Sequence, residues 1–316
     1  MKTIKIGQTD LEVAPFNLGG NVFGWTLDEE KSFEILDAFF DVGFNFIDTA
    51  DMYSYWIQGG AGGGQSETII GKWMKARNNR DKVIIATKSG GPTGITELDS
   101  SPAHIKASVE KSLERLQTDY IDLYYLHYDD EKTPVEETLK AYDELIKAGK
   151  IRHIAASNIS PERLRESLEV SEKQNLPKYQ VLQPLYNLVE RKGYETDYAP
   201  IAEEYGLTVF PYYALASGFL TGKYRSEADF NKSPRGQGAA QYLNEKGLNI
   251  LSALDKVAEK HNAVPAAVSL AWLSAQPNIG GPVASATSTE QLQQILSAAS
   301  LHLDNADLEL LDAASK

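Results

Sequence analysis

The chain has 316 residues, of which 42 % are hydrophobic and 24 % charged, so it can bury a large core and extensive disorder is excluded. Its 44 acidic residues outweigh 31 basic ones, and the net charge of −13 argues against a surface that binds nucleic acid or an anionic membrane. Cysteine is absent, which excludes disulfides, thiolate metal sites and cysteine nucleophiles. No signal peptide or membrane-spanning segment is recognisable, so we expect a water-soluble, cytoplasmic protein.

Short apolar runs rich in β-forming residues recur along the chain, with amphipathic segments between them. They predict eight strands whose spacing, except before the last, is that of one strand plus one crossover helix. The runs lie at 14–19, 44–48, 83–88, 120–127, 151–158, 179–185, 207–213 and 281–286. The preferred interpretation is an α/β fold, a single-domain (β/α)8 TIM barrel over residues 1–316. A doubly wound open sheet is the alternative.

The sequence also predicts two segments outside this repeat and the first residues of some helices. Residues 4–14 contain two short β-rich runs around turn residues and predict a β-hairpin before the first barrel strand. Residues 217–240, rich in glycine, serine and charge, predict a long surface loop after the seventh strand. Ser160, followed by proline, predicts a capped helix start. Thr133 with Glu136 resembles a capping box.

Reactive side chains fall at the carboxyl ends of the predicted strands, where a barrel enzyme places its chemistry. Each has a structural explanation when taken alone, because Tyr53 is one of 16 tyrosines and His127 is one of five histidines. An acid, an amine, an imidazole and a phenol that converge on one barrel mouth favour an active site. The set comprises Asp48, Tyr53, Lys88, His127, Asn158, Gln183 and Tyr212.

Several common motifs do not fit. Gly59–Gly64 does not match G-x-G-x-x-G, and Gly71-Lys72-Trp73 lacks the hydroxyl residue of a phosphate-binding P-loop. No two histidines stand three or four residues apart, and no Gly-x-Ser-x-Gly motif occurs. We therefore expect no metal site, and we interpret Gly59–Gly64 as a loop over the barrel mouth.

The run FIDTADMY at 46–53, the strand-end Lys88 and His127, GKIRHIAASN at 149–158 and ASGFLTGKY at 216–224 together resemble the aldo-keto reductase superfamily. The resemblance extends over nearly the whole chain. It implies a (β/α)8 barrel that binds a nicotinamide dinucleotide in extended form, without a Rossmann fingerprint.

The resemblance also implies a catalytic tetrad of Asp48, Tyr53, Lys88 and His127. Tyr53 would be the acid that protonates the oxygen of a carbonyl as its carbon receives hydride. Lys88, held by Asp48, would stabilise the phenolate and lower the pKa of Tyr53 from its usual value. His127 would donate a hydrogen bond to the substrate carbonyl.

The family pattern further implies a cofactor site along the mouth. Its members would contact the carboxamide (Ser157, Asn158, Gln183), stack on the nicotinamide (Tyr212), wrap the pyrophosphate (Leu215, Ser217, Gly218, Leu220, Lys223) and hold the adenosine phosphate (Ser285, Thr287, Ser288, Gln291).

Cofactor identity is the point at which the sequence departs from the family pattern. Thr287 and Ser288 stand where many NADPH-preferring members carry arginine or lysine, and Ile295 replaces a common asparagine. Hydroxyls bond a 2′-phosphate but bring no positive charge. Lys223 and Arg235, in the long loop, are the available cations. NADP(H) is the preferred cofactor, and NAD(H) stays open.

Three functions are consistent with these residues. The leading hypothesis is an NAD(P)H-dependent oxidoreductase that reduces small-molecule aldehydes or ketones to alcohols. The second is a regulatory cofactor-binding barrel that resembles channel β-subunits, in which turnover is secondary to partner binding. The third is a barrel lyase or isomerase that uses Lys88 as an imine-forming amine.

Overall fold

The structure is a computed structural model that describes residues 3–57, 62–91, 97–233 and 235–316. Its strands are β1 (Ile4–Lys5), β2 (Glu12–Val13), β3 (Asn17–Gly19), β4 (Phe46–Asp48), β5 (Ile84–Ser89), β6 (Ile121–Leu126), β7 (Ile151–Ser157), β8 (Val181–Gln183), β9 (Thr208–Val209) and β10 (Val283–Ala284). Its α-helices are α1 (Glu29–Asp41), α2 (Gln65–Arg77), α3 (Pro102–Leu116), α4 (Val135–Lys147), α5 (Pro161–Gln174), α6 (Ala199–Tyr205), α7 (Gly236–Ala239), α8 (Glu245–His261), α9 (Pro265–Ser274), α10 (Thr289–Leu296) and α11 (Asn305–Ser315).

The strands β3 to β10 form one parallel sheet that curls on itself. Strands β3 to β9 pair in chain order, and β10 pairs with β3. At the seam, the N–H of Val283 in β10 donates to the carbonyl of Pro211, just after β9, at 3.0 Å. The open-sheet alternative leaves two distant edges, whereas here the two ends of the sheet meet. The predicted (β/α)8 barrel is confirmed.

The barrel interior is a small apolar core closed at the amino-terminal end by the predicted hairpin. Strands β1 and β2 pair antiparallel, with Ile4 opposite Val13, which confirms the hairpin. Residues of the hairpin and of the strands form one buried cluster, in which the Phe46 and Phe210 rings pack edge to face at 5.0 Å. This plug leaves the carboxyl ends of the strands as the open mouth. The cluster comprises Ile6, Leu11, Val13, Phe46, Ala86, Leu123, Tyr125, Ala155, Val181 and Phe210.

A second, larger core lies between the strands and the surrounding helices. Because most residues of β3 to β10 are buried, most of these strands have continuous apolar sequences rather than alternating ones. None of the helices within the described ranges is both long enough and apolar enough to cross a bilayer.

The helix starts confirm one capping prediction and correct another. The Ser160 hydroxyl accepts from the N–H of Arg163 at 3.2 Å, with Pro161 at the first helical position, as predicted. The capping box at Thr133 is wrong, since α4 begins after Pro134 and has no side-chain cap. The Thr133 hydroxyl instead donates to Asp130 at 2.7 Å, which organises the loop before the helix.

The long connection after β9 is confirmed, and short helices order it. Short 3-10 segments occupy 216–221, where the backbone kinks at Ser217 and Gly218, and 227–232, and α7 follows them. Phe219, Leu220 and Tyr224 are fully buried, so this segment is anchored by its own apolar side chains. It lies beside the mouth with a defined backbone.

Candidate active site

Parallel pairing brings three predicted residues to the same edge of the sheet. Asp48 at the end of β4 aligns with Ala86 in β5, and Lys88 in β5 aligns with Tyr125 in β6. His127 follows β6 directly, and its N–H donates to the carbonyl of Ser89. Because strand ends in a barrel converge, these side chains share one mouth.

Tyr53 reaches the same place through the loop after β4. The N–H of Thr49 donates to Ala86 and that of Asp51 to Lys88, so the loop first continues the β4–β5 pairing. The chain then turns, with the N–H of Tyr53 bonded to the carbonyl of Ala50. This turn directs the phenol back over the strand ends.

The Lys88 ammonium is the centre of the arrangement. Its Nζ lies 2.5 Å from Asp48 Oδ2, 2.7 Å from the carbonyl of Thr49 and 3.1 Å from the Tyr53 hydroxyl. An ammonium has three donors, and all three are used. The Tyr53 hydroxyl also lies 3.3 Å from Asp48 Oδ2. The lysine and aspartate side chains are almost wholly inaccessible to water.

Burial controls the acidity of this group. It lowers the pKa of Lys88, while the Asp48 carboxylate acts against that shift. Burial also raises the pKa of Tyr53 well above its usual value, and the Asp48 carboxylate adds to the rise. The pKa of Tyr53 therefore lies above its usual value and not below it, because desolvation and the Asp48 carboxylate are the largest effects on this phenol. Tyr53 consequently keeps its proton at neutral pH.

His127 is a neutral imidazole at the edge of the site. Burial, and then the charge on Lys88, lower its pKa well below the usual value. Its ring lies edge to face with Tyr53 at a centroid distance of 6.2 Å and packs against Tyr128 at 4.8 Å. Its Nδ1 is buried and has no hydrogen-bond partner among the described residues. A neutral ring donates one hydrogen bond without bringing a charge to compete with Lys88.

The predicted carboxamide contacts join the tetrad in one hydrogen-bonded chain. Gln183 Nε2 donates to Asp48 Oδ1 at 2.9 Å, and the Ser157 hydroxyl donates to the Gln183 carbonyl at 2.8 Å. Asn158 Nδ2 donates to the His127 carbonyl, and Asn158 Oδ1 accepts from the Tyr212 hydroxyl at 3.2 Å. A cavity of about 180 Å³ adjoins Asn158, Gln183 and Tyr212.

The predicted pyrophosphate segment has an unusual backbone. Tyr213, Ala216 and Ser217 adopt φ of +60°, +48° and +56°, and Gly218 follows at +86°. Residues other than glycine seldom occupy this region, and such strain concentrates at binding sites. Within the predicted set, Leu215 is half-buried and the Leu220 side chain is fully buried, so Leu220 offers only backbone groups. Lys223 is exposed, and its Nζ lies 5.0 Å from the Tyr224 ring centroid.

Arg235 differs from the other arginines of this acidic chain. Each of the others has a carboxylate partner. No carboxylate within the described ranges lies at ion-pair distance from Arg235, and its buried Nη2 has no hydrogen-bond partner there. The guanidinium instead lies 5.3 Å from the Trp25 ring centroid. Burial lowers its pKa, with Tyr213 and Tyr53 among the groups that face it.

At the predicted adenosine end, polar side chains are bonded to one another. Ser288 caps α10 by accepting from the N–H of Gln291, and the Thr287 hydroxyl donates to Gln291 Oε1 at 3.0 Å. Ser285 donates to Asn21 at 2.6 Å. Ile295 is buried in the helix–barrel core. The first turn of α10 carries Glu290 and no cation.

Aromatic rings surround the mouth. Trp25 and Trp56 lie edge to face at 5.4 Å, and Trp56 packs on Tyr53 at 6.4 Å. Residues 59–61 of the glycine-rich loop lie outside the described residues, so its placement over the mouth stays a prediction. No group of three or more His, Asp or Glu side chains suited to a metal ion occurs in the described part of the chain.

The sequence analysis missed a buried charged cluster behind the tetrad. Glu67 in α2 is fully buried, accepts from the Thr87 hydroxyl at 2.6 Å and pairs with Arg115 of α3 at 2.6 Å. The charges of Glu67 and Arg115 both act on the carboxyl of Asp51. The sequence contained one sign of this cluster. Asp51 is a second carboxylate, three residues after Asp48, in the loop that also carries Tyr53.

Comparisons with known proteins agree with this geometry. The model of the Aldo/keto reductase family matches residues 15–316. Aldo-keto reductase YhdN of Bacillus subtilis is 35 % identical over 88 % of this chain and 82 % of its own length. Aldo-keto reductase yakc of Schizosaccharomyces pombe, named with NADP(+), is 31 % identical over 97 % and 89 %. A probable voltage-gated potassium channel subunit beta of Arabidopsis thaliana is 30 % identical over 94 % and 91 %. The chain belongs to the aldo/keto reductase family.

Proposed function

We propose that this oxidoreductase reduces small-molecule aldehydes or ketones to alcohols with a nicotinamide dinucleotide. The observation that carries the proposal is the contact of one buried ammonium, Lys88, with both a carboxylate and the hydroxyl of Tyr53. A phenol that keeps its proton at neutral pH, yet lies 3.1 Å from an ammonium able to stabilise its anion, is suited to donate that proton.

The residues around the mouth fit a dinucleotide. Arg235 is a cation without a carboxylate partner among the described residues, which is the chemistry a phosphate requires. The left-handed backbone at 216–218 and the exposed Lys223 lie in the segment that would follow a pyrophosphate. Tyr212 and the amides of Asn158 and Gln183 would receive the nicotinamide end. When bound, the cofactor supplies the hydride.

The tetrad residues have separate tasks. His127 donates a hydrogen bond that orients the substrate carbonyl next to Tyr53. Tyr53 gives its hydroxyl proton to the carbonyl oxygen. Lys88 stabilises the phenolate that remains, and Asp48 holds the ammonium in place at 2.5 Å. The aromatic rings of Trp25 and Trp56 keep bulk water from the reacting oxygen.

The geometry disfavours the imine alternative. Lys88 would need a neutral, accessible amine to attack a carbonyl. Its side chain is inaccessible to water and its three donors are bound to Asp48, Thr49 and Tyr53. The regulatory alternative draws on the channel-subunit relative. A regulatory barrel would have the same site residues as a reductase and would differ from it in the rate of turnover.

Oxidation of NADPH and NADH in the presence of a panel of small aldehydes and ketones tests the proposal directly. We expect substrate-dependent turnover, with an aromatic aldehyde among the better substrates because the mouth is lined by aromatic rings. Tight dinucleotide binding with no turnover over the whole panel would favour the regulatory barrel. Trapping of a carbonyl compound on Lys88 by borohydride would favour the imine chemistry.

Replacement of Arg235 by alanine is expected to weaken dinucleotide binding by about tenfold or more, because a charge-assisted bond to phosphate is lost. The dissociation constant is measured by quenching of tryptophan fluorescence. Arg225→Ala is the matched control, since Arg225 is exposed and already paired with Asp255 at 2.7 Å. Equal affinities for the two variants would remove Arg235 from the cofactor site.

The lack of a cation at the start of α10 predicts only a modest preference for NADPH over NADH. Ser288→Arg is expected to raise that preference by about tenfold, because it places a guanidinium where the family pattern has one. Gln294→Arg, exposed further along α10, adds the same charge away from the helix start. An unchanged ratio of the two dissociation constants in Ser288→Arg would place the 2′-phosphate elsewhere.

A further inference from the structure

Asp51 is a half-buried residue next to the tetrad, with one fully buried carboxyl oxygen, to which the proposed reaction gives no task. Its N–H donates to the carbonyl of Lys88 at 3.0 Å, which fixes the residue directly behind the lysine. Its Oδ1 is buried and has no hydrogen-bond partner among the described residues. A carboxylate oxygen in that state is costly unless the group carries a proton.

The other charged residues around Asp51 form ion pairs with one another. Asp48 pairs with Lys88 at 2.5 Å, and Glu67 pairs with Arg115 at 2.6 Å. Each pair sums to zero charge. Asp51 is the fifth charged group of the cluster, and it forms no ion pair with a cation among the described residues. An ionised Asp51 therefore gives the buried cluster a net negative charge, and a protonated one leaves it neutral.

The titratable and charged groups that act on Asp51 lie on two helices and two strands. They are Glu67 of α2, Arg115 of α3, Lys88 of β5 and the buried Tyr124 of β6. Burial, and then the charge on Glu67, raise the pKa of Asp51 to about 7, against the opposing effects of Arg115, a hydrogen bond from the backbone of Met52 and Lys88. The Asp51 carboxyl therefore changes charge near neutral pH.

We propose that Asp51 is a positioning residue of the reductase, whose carboxyl acts through the buried charged cluster to set how readily Tyr53 releases its proton. The inference rests on the proposed function. A negative charge beside Lys88 opposes the formation of a second negative charge on the Tyr53 oxygen. Reduction is therefore faster while Asp51 is protonated, and slows as Asp51 ionises.

The rate of a single reductive turnover as a function of pH tests this link. In the wild type we expect a several-fold decline centred near pH 7, the pKa of Asp51. Asp51→Asn keeps the size and hydrogen-bonding shape of the side chain but stays uncharged, so the decline near this pH should vanish. Glu97→Gln makes the same chemical change at an exposed position and should retain the decline. An Asp51→Asn profile that keeps it overturns the proposal.

A second readout does not require turnover or cofactor. In protein labelled with ¹³C at the tyrosine Cζ atoms, the Tyr53 resonance, identified by its loss in Tyr53→Phe, should shift as pH passes about 7. His127 does not account for such a shift, because its own pKa is well below the usual value. The shift should be absent in Asp51→Asn and retained, at a changed pH, in Asp51→Glu. A pH-dependent shift of the Tyr53 resonance that persists in Asp51→Asn refutes the coupling between Asp51 and Tyr53. Because this measurement needs no carbonyl reduction, it distinguishes failure of the coupling from failure of the proposed function.

Discussion

Tyr53→Phe is expected to lower the rate of carbonyl reduction by about 10²- to 10⁴-fold while leaving dinucleotide affinity within about twofold of wild type. The Tyr53 hydroxyl carries a proton at neutral pH and lies 3.1 Å from the Lys88 ammonium. The ring remains in the variant, so its packing against His127 and Trp56 is preserved. The loss should therefore appear in kcat, because the missing interaction forms only as the oxygen becomes charged.

The loop offers its own control for this experiment. Tyr55 lies two residues further on and packs against Trp56 at 5.4 Å, without contact to Lys88 in the described hydrogen bonds. Tyr55→Phe removes the same atom from the same loop and should leave kcat within about threefold of wild type. Wild-type rates in Tyr53→Phe would contradict the assignment of the proton donor. Equal losses in both variants would indicate damage to the loop rather than to the chemistry.

Sequence periodicity was sufficient for the architecture because a parallel barrel has strong local signals. Each strand is buried on both faces and so appears as an apolar run, and every run is followed by a helix that returns the chain to the same end. Because all strands run in the same direction, the residues at their carboxyl ends must share one mouth. For this reason the sequence placed Asp48, Lys88 and His127 together correctly. Strand limits were less accurate: the run at 207–213 contains only the two-residue strand β9.

Properties that depend on burial were not accessible from the sequence. The positive charge of Lys88 taken alone predicts a fall in the pKa of Tyr53, whereas desolvation, which only the structure shows, raises it. The sequence indicated Arg235 and Lys223 together as candidate cations, and the position of the Arg235 guanidinium against the Trp25 ring then distinguished Arg235 from Lys223. Thr133 met the capping pattern, but its hydroxyl had a nearer partner in Asp130. In each case a long-range or competing contact decided the outcome.

The buried pair at the centre of the site makes a second large effect predictable. Lys88→Met keeps a long apolar stem but removes the charge, so Asp48 is left as a buried carboxylate with only Gln183 and Tyr53 as recorded hydrogen-bond donors. Removal of one partner of a buried ion pair costs about 3 to 5 kcal/mol in the free energy of unfolding. We expect a loss of that size in chemical denaturation, together with loss of reduction comparable to that in Tyr53→Phe.

The double variant Lys88→Met/Asp48→Asn separates the two consequences. With both charges gone, the uncompensated carboxylate disappears, and most of the lost stability should return because an uncharged buried pair is often as stable as an ionic one. Reduction should not return, since no ammonium remains to stabilise the Tyr53 phenolate. A double variant that stays as unstable as Lys88→Met would mean that the ion pair holds the fold of the mouth. One that regains turnover would mean that Tyr53 acts without Lys88, and the proposed proton donation would need another source of electrostatic support.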